Sequence, residues 1–474
     1  MKLKPIYILL SLGMAGQLGG VDASASTCEN PPGLSAKILS DTIINEETLT
    51  ISSLYPFPGT MTGLTFQQDS IVTQNGWQYM AYYTGDRKMA VGRRKLPSDG
   101  WEIAEIKDYT IHSNDSHNTI SLGVCPLDGT LHLSFDHHVS TLNYASSKPG
   151  ILSNPENYEW DGELFGPVVS SLSGLRVNGV TYPRFVTTPE GHLLFIFRMG
   201  TSGDGDSVLF KYDGRQHKWK DLGMFVSRKG IYEGKEGTTH SRNAYFDRFI
   251  YDHTGRLHVT WVFREHYGSI SNHDICYAYS DDDGLTWRNN DGELIARTGH
   301  EPVITVDSPG IVVIPISQWR SLSNTSAMTI DKLGRVHLVQ SHLPISAPDS
   351  SQPFSEAMRY HHHWRDLNGE WHSNQLKYTG LRPELVVDSD STLFLVFSFQ
   401  NRFLIAYAGE NDLWRNWGEL DVPELSDQAI SSEPQVDLAR FNREKVLSIL
   451  YVLKTKEYGN PTPLKVMDIR FASE

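Results

Sequence analysis

The sequence predicts an all-β chain, a seven-bladed β-propeller, and three observations predict it. Helical periodicity is scarce after the first 25 residues. In its place, a turn bearing Gly or Asp followed by a strand rich in aromatic and β-branched residues recurs seven times. These units start at Asn75, Asp128, Glu190, Thr254, Leu333, Asp390 and Glu444, so successive starts lie 53, 62, 64, 79, 57 and 54 residues apart. That spacing suits a four-stranded blade with its loops, and it favours one closed ring over two stacked β-sandwiches.

The chain opens with Lys2 and Lys4 before a short, glycine-broken apolar run, and Ala23-Ser24-Ala25 offers a small-residue cleavage site. Residues 1–25 are therefore expected to be a signal peptide and 26–474 a single catalytic propeller. Cys28 lies close enough to that cleavage site to raise a lipid anchor, but the residues before it fit one only loosely. A soluble secreted monomer is expected. No later stretch approaches about 18 uninterrupted apolar residues, so no membrane span is expected. Three cysteines are too few for a disulfide scaffold. A net charge of −14 argues against nucleic acid or an anionic surface as partner. A polyanionic substrate would need a local cationic cluster, because salt confines attraction to about 10 Å.

The units then follow in order as NGWQYMAYY, DGTLHLSFDHH, EGHLLFIFR, TGRLHVTWVFRE, LGRVHLVQSH, DSTLFLVFSF and EKVLSILYVL. After the fourth, Ser280-Asp281-Asp282-Asp283-Gly284-Leu285-Thr286-Trp287 fits S-x-D-x-G-x-T-W, the Asp-box turn of sialidase-like propellers. It marks the fold rather than the chemistry. Asn368-Gly369-Glu370-Trp371, and Asp213-Gly214 before Trp219, read as degraded relatives.

Hairpin arithmetic brings candidate site residues together. With the second unit's turn centred near Asp128, cross-strand partners sum to about 256, which puts His117 opposite residue 139 with His137 and His138 beside it. Alternation sends His137 and His138 to opposite faces, so one of them joins His117. The same construction sets Tyr182 opposite Arg198 and Tyr245 opposite Arg264. Three consecutive blades thus carry a His/His and two Tyr/Arg pairs at one rim. A single histidine or tyrosine at a strand end is commonly a surface residue; three aligned pairs point to a cleft.

That residue set selects among chemistries. Glycoside hydrolysis ordinarily needs two flanking carboxylates, and neither G-x-S-x-G nor H-E-x-x-H occurs. His and Tyr as proton-transfer groups, with Arg or His against a carboxylate, suit β-elimination from a uronic acid. Pairing the carboxylate with a cation stabilises the enolate-like charge that develops when the C5 proton leaves. No cofactor is needed for this. A structural zinc is a separate expectation, drawn from His266, Cys276, His342 and His362 as a tetrahedral Cys/His set clamping adjacent blades. The competing reading is that Cys276 is simply a buried core residue.

DSHNTISLGVCPLDGTLHLSFDHH, TYPRF, the FR of LLFIFRMG, THSRNAYFDRF and NHDICYAYSDDDGLTW together resemble the seven-bladed propeller polysaccharide lyases that cleave ulvan, the sulfated polysaccharide of green algae. The resemblance spans roughly residues 55 to 470. It implies cleavage at glucuronic or iduronic acid next to 3-sulfated rhamnose, leaving a 4,5-unsaturated uronate. It also implies that His117 and Tyr182 are catalytic, and that Arg198 and a histidine of Asp136-His137-His138, taken as His137, neutralise the carboxylate. Whether Tyr182 is acid, base or both stays open, as does the choice between the two uronates. Asn118, His240, Tyr245 and Arg264 are expected to line the same canyon. The rival readings are a sialidase-like glycoside hydrolase, which would want an arginine triad and a Tyr/Glu nucleophile pair, and a glycan-binding propeller without activity.

Overall fold

A computed structural model of the chain describes residues 34–64, 69–352, 355–380 and 382–473. The expected signal peptide and Cys28 lie outside them. The described residues form a seven-bladed β-propeller, and each of the seven repeated units supplies the second strand of one blade. Those strands are Trp77–Tyr83, Thr130–Phe135, Leu193–Thr201, Leu257–Arg264, Val336–His342, Leu393–Phe399 and Val446–Val452. They are buried along nearly their whole length, because blades pack face to face and cover both sides of the sheet. This explains why they read as near-continuous apolar runs and not as a clean alternation.

The ring closes through the chain's start. Leu34–Thr48 pairs antiparallel with Thr462–Ser473 and becomes the outermost strand of the seventh blade, whose other strands come from the C-terminal end. Pairing residues from both ends of the described chain in one blade ties the first blade to the last and holds the ring closed.

Turn chemistry repeats from blade to blade. Asp252, Asp331, Asp366 and Asp388 each accept, on one carboxylate oxygen, the amides two and four residues onward. Such local side-chain bonds favour turns over continued strand. The Asp-box turn is built similarly. Asp282 accepts from the Thr286 amide and hydroxyl at 2.8 Å each, Ser280 Oγ receives the Gly284 amide at 2.8 Å, and Trp287 is fully buried. The seventh unit departs from the pattern. A helix, Leu438–Glu444, capped by Asp437 accepting the Arg440 amide at 2.9 Å, replaces its hairpin turn.

The core holds many neutral histidines, with a consequence for acid stability. Burial depresses His117, His132, His137, His258, His337, His342, His361, His362 and His363, with His132 and His361 taken to about 3 and His137 and His342 to about 4. For each, the unfolded chain takes up a proton below pH 6.5 that the folded chain refuses, so its stabilising share is lost as pH falls. Asp247 and Glu384, pushed up to about 7 by burial, act in the opposite sense, as do the raised Asp437 and His273. Nine groups outweigh four. Each can change stability by at most about 1.4 kcal/mol per pH unit, so the unfolding midpoint in denaturant is expected to drop clearly between pH 7 and pH 5. A midpoint that held steady or rose would refute this account.

Candidate active site

The second blade's first hairpin runs Ile120–Cys125 against Thr130–Phe135 with partners summing to 255, as in Ile120↔Phe135. Extended, that register sets His117 opposite residue 138. The ring centroids of His117 and His138 are indeed 4.7 Å apart and stacked. Asp115 holds both: its two carboxylate oxygens lie 2.6 Å from His117 Nδ1 and 2.7 Å from His138 Nδ1. A carboxylate can only accept, so each Nδ1 carries a hydrogen, which leaves Nε2 as the acceptor of the His117 ring when it is neutral. Burial works to raise the Asp115 carboxyl, but the hydrogen bonds from His117 and His138 outweigh it and keep it well below the usual carboxylate range. Burial depresses His117 below 6.5 despite Asp115, with His138 and Arg382 adding to the effect. His117 is therefore neutral near pH 7. Phe57 abuts both rings edge-on, at 4.6 and 5.8 Å.

The choice of His137 is corrected. Asp136 (φ 61°) and Val139 (φ 62°) are left-handed, so the strand ends at Phe135 and simple alternation does not continue. His138 pairs with Thr181 of the third blade, whereas His137 turns inward, its Nδ1 2.8 Å from Ser140 Oγ and its Nε2 beside the Asn143 backbone. Asn118 sits in the same loop, donating to Asp136 at 2.6 Å and to Ser113 Oγ at 3.1 Å.

Tyr182 arrives by a bulge. Thr181, not Tyr182, pairs with Arg198, and the register slips before Arg184. Tyr182 itself has φ 51°, a conformation that costs a non-glycine residue energy and is often kept at functional sites. Its ring centroid lies 6.3 Å from that of His117, 6.2 Å from His138 and 6.0 Å from Tyr245. The Arg198 guanidinium stands over it at 5.1 Å. Burial raises the Tyr182 hydroxyl pKa well above its ordinary value, so it is a protonated donor.

Tyr245 pairs with Val262, two residues from the expected Arg264, yet the long side chains still meet diagonally. Its hydroxyl receives Arg198 Nη1 at 3.1 Å and Arg264 Nη1 at 3.0 Å. Burial opposes ionisation of Tyr245, but Arg264 and Arg198 prevail and bring it down to about 8. Arg264 is fixed further by Asn272 at 2.7 Å and Asn324 at 2.8 Å. Arg198 Nη2 is buried without a hydrogen-bond partner, a cationic donor left for an acidic ligand. His240 is exposed, just past the Gly237–Thr239 strand. Asp115 and Arg382 were missed by sequence reasoning. For Asp115 a signal existed, since it lies two residues before His117 and caps that residue's amide at 2.9 Å.

The zinc set is not assembled. His342 pairs with Arg359, placing it on the face shared by His361 and His363, while His362 lies on the opposite face and bonds His337 at 3.1 Å. Cys276 is buried in the fourth blade's core, and His266 Nε2 is taken by Glu236 at 2.6 Å. Among the described residues, the groups of three donors close enough for a metal are Asp115/His117/His138 and Asp366/Glu370/His372.

Residues 77–379 match the BNR repeat-containing family. The chain is 23% identical over 467 residues to an ulvan lyase, long isoform, of Alteromonas sp, covering 86% of this chain and 43% of that protein. It is 24% identical over 451 residues to an ulvan lyase, long isoform, of Pseudoalteromonas sp. (strain PLSV), covering 84% and 42%. An ulvan lyase, short isoform, of Alteromonas sp. (strain LOR) is 31% identical over 225 residues, covering 38% and 40%. The chain thus spans less than half the length of these curated relatives. Among solved structures, the polysaccharide lyase Uly1 superposes with a TM-score of 0.71 at 18% identity, covering 92% of this chain and 99% of that one. A PL25 ulvan lyase bound to -[GlcA(1-4)Rha3S]- superposes with a TM-score of 0.62 at 12% identity, covering 91% and 95%. These two likenesses are of fold.

Proposed function

The chain belongs to the BNR repeat-containing family, and we propose that it is a polysaccharide lyase that cleaves ulvan by β-elimination at the uronic acid. One observation carries the reading. A neutral histidine, a protonated tyrosine and a buried arginine with an unused donor converge beside a second histidine. The names of the related proteins support the choice of polymer. In this reading Arg198 and His138 meet the uronate carboxylate. His117 Nε2 takes the C5 proton, the C5–H electrons form the C4=C5 double bond, and the C4–O4 bond breaks. Tyr182 gives its proton to the departing O4. Tyr245 clamps Arg198 and Arg264 in place. The expected signal peptide would export such an enzyme toward its polymer outside the cell.

A sialidase reading is less well supported, because the Tyr245 hydroxyl meets two guanidiniums and Ser202 where that chemistry wants a carboxylate. The deciding experiment is incubation with a panel of uronate polysaccharides and sialosides, followed by ultraviolet absorbance and mass analysis. An unsaturated uronate from ulvan supports the proposal; sialic acid release, or no product from any uronate polymer, removes it.

The His117 role carries its own pH prediction. The base form of His117 persists to below pH 6.5, so kcat/KM is expected to fall only below that value. Asp115→Asn removes an interaction that raises the His117 pKa. The acid limb is therefore expected to move to lower pH, with a loss of at least about tenfold in the plateau, or about 1.4 kcal/mol. A limb that stayed in place would reduce Asp115 to a structural role.

A further inference from the structure

A cavity of about 480 Å³ opens beside this site, lined by Met358, Phe399, Ile430 and Ser431 and by the Arg382–Glu433 ion pair. We propose that it is a sugar subsite that seats, by its uncharged C–H face, the pyranose residue next to the uronate held at His117 and Tyr182. The proposal rests on the lyase reading above and extends it to a site that reading does not use.

Continuity with the reacting centre comes from one chain of hydrogen bonds. Arg264 joins the Tyr245 hydroxyl at 3.0 Å to Asn324 Oδ1 at 2.8 Å. The Asn324 carbonyl accepts Arg382 Nε at 3.0 Å, and Arg382 Nη1 reaches Glu433 at 2.9 Å. Arg382 is thus the wall between the canyon and the cavity. The volume falls within the range of about 300–1,000 Å³ usual for small-molecule sites.

The lining chooses the ligand. Phe399 is 40% exposed at the end of its strand. It pairs with Arg402 across Gln400 and Asn401, both left-handed at φ 50° and 63°. A two-residue turn of that kind is tight, and a glutamine in it is strained, so the ring is held up by a stiff support. An exposed aromatic on a rigid turn offers a platform for the apolar face of a sugar ring. Ser431 Oγ is buried without a hydrogen-bond partner and can meet a sugar hydroxyl. Charge excludes the alternative orientation. Arg382 is already paired with Glu433, and the exposed Glu356 adds a second carboxylate to the lining. A sulfate or carboxylate facing inward would be repelled, so the charged groups of the chain point to solvent.

The test is titration of sized ulvan oligosaccharides, from di- to hexasaccharide, into the Tyr182→Phe protein, with and without Phe399→Ala. Phe399→Ala is expected to weaken binding of the oligosaccharides that reach the cavity about tenfold, or about 1.4 kcal/mol, and to leave unchanged the binding of free glucuronate, titrated alongside, which fills only the place at His117 and Tyr182. Phe399→Tyr, which keeps the ring, is expected to restore the lost affinity, and desulfated oligosaccharides are expected to show the same Phe399 effect. Equal affinity with and without the ring at every length overturns the proposal. So does an effect that disappears with the sulfate, because the cavity would then be reading charge. A length-dependent Phe399 effect in a protein whose unmutated form makes no unsaturated product would keep the subsite and sink the lyase reading. No binding at any length would sink both.

Discussion

Tyr182→Phe is expected to lower kcat on ulvan by about 10²–10⁴-fold, the usual worth of a positioned general acid. The substitution removes one hydroxyl and keeps the ring that packs against His138 and under Arg198. Folding should therefore survive, and the loss can be assigned to proton transfer. Burial raises this hydroxyl's pKa, so it holds its proton at neutral pH and can deliver it to O4 as the C4–O4 bond breaks. The left-handed backbone at residue 182, kept at an energetic cost, points the same way. Phenylalanine carries the same backbone strain as tyrosine there, so stability should hardly change. The measurement is single-turnover formation of unsaturated product at saturating ulvan, alongside thermal unfolding. A well-folded Tyr182→Phe protein that retained more than about a tenth of the turnover would take Tyr182 out of the acid role.

Arg198→Ala is expected to cost about 10²–10³-fold in kcat, with a smaller change in KM. The carboxylate that Arg198 would meet is already charged in the ground state, but the enolate-like charge grows on proton removal, so the guanidinium is worth more in the transition state. Arg198 is buried, donates Nη1 to Tyr245 and leaves Nη2 without a partner, which prepares it for an anion before substrate arrives. Arg198→Lys should recover only part of the loss, because an ammonium supplies a point charge without the planar fork. Arg198→Ala also deprives Tyr245 of one of its two cations, so the Tyr245 pKa should rise from about 8 in a spectroscopic titration. A change confined to KM, with kcat intact, would instead make Arg198 a contact to a remote part of the polymer.

The site's legibility varied residue by residue. His117 was readable because DSHN stands just before a strand whose hairpin partner is set by the Asp128-Gly129 turn, and the register proved one unit from the expected sum. Choosing between His137 and His138 failed because the rule of alternation stops where Asp136 and Val139 turn left-handed. The Tyr182/Arg198 pair was right in company but not in register, since a bulge displaces Tyr182. The zinc set failed on a parity that the sequence contains but that needs the pairing to interpret. His342 and His362 end on opposite faces only once Gln340 is known to stand across from His361.

Fold class and blade count followed from the amino-acid sequence alone, because strands and turns are written in neighbouring residues: runs of aromatic and β-branched residues, and Asp or Gly where the backbone must reverse. Ring closure by Leu34–Thr48, the Asp115 bridge between two histidines and the Arg382 wall required the folded molecule. Each of these joins positions far apart in the chain, or hangs on the direction of one side chain. Such contacts are selected by packing and charge after the blades assemble, and no local pattern of residues encodes them.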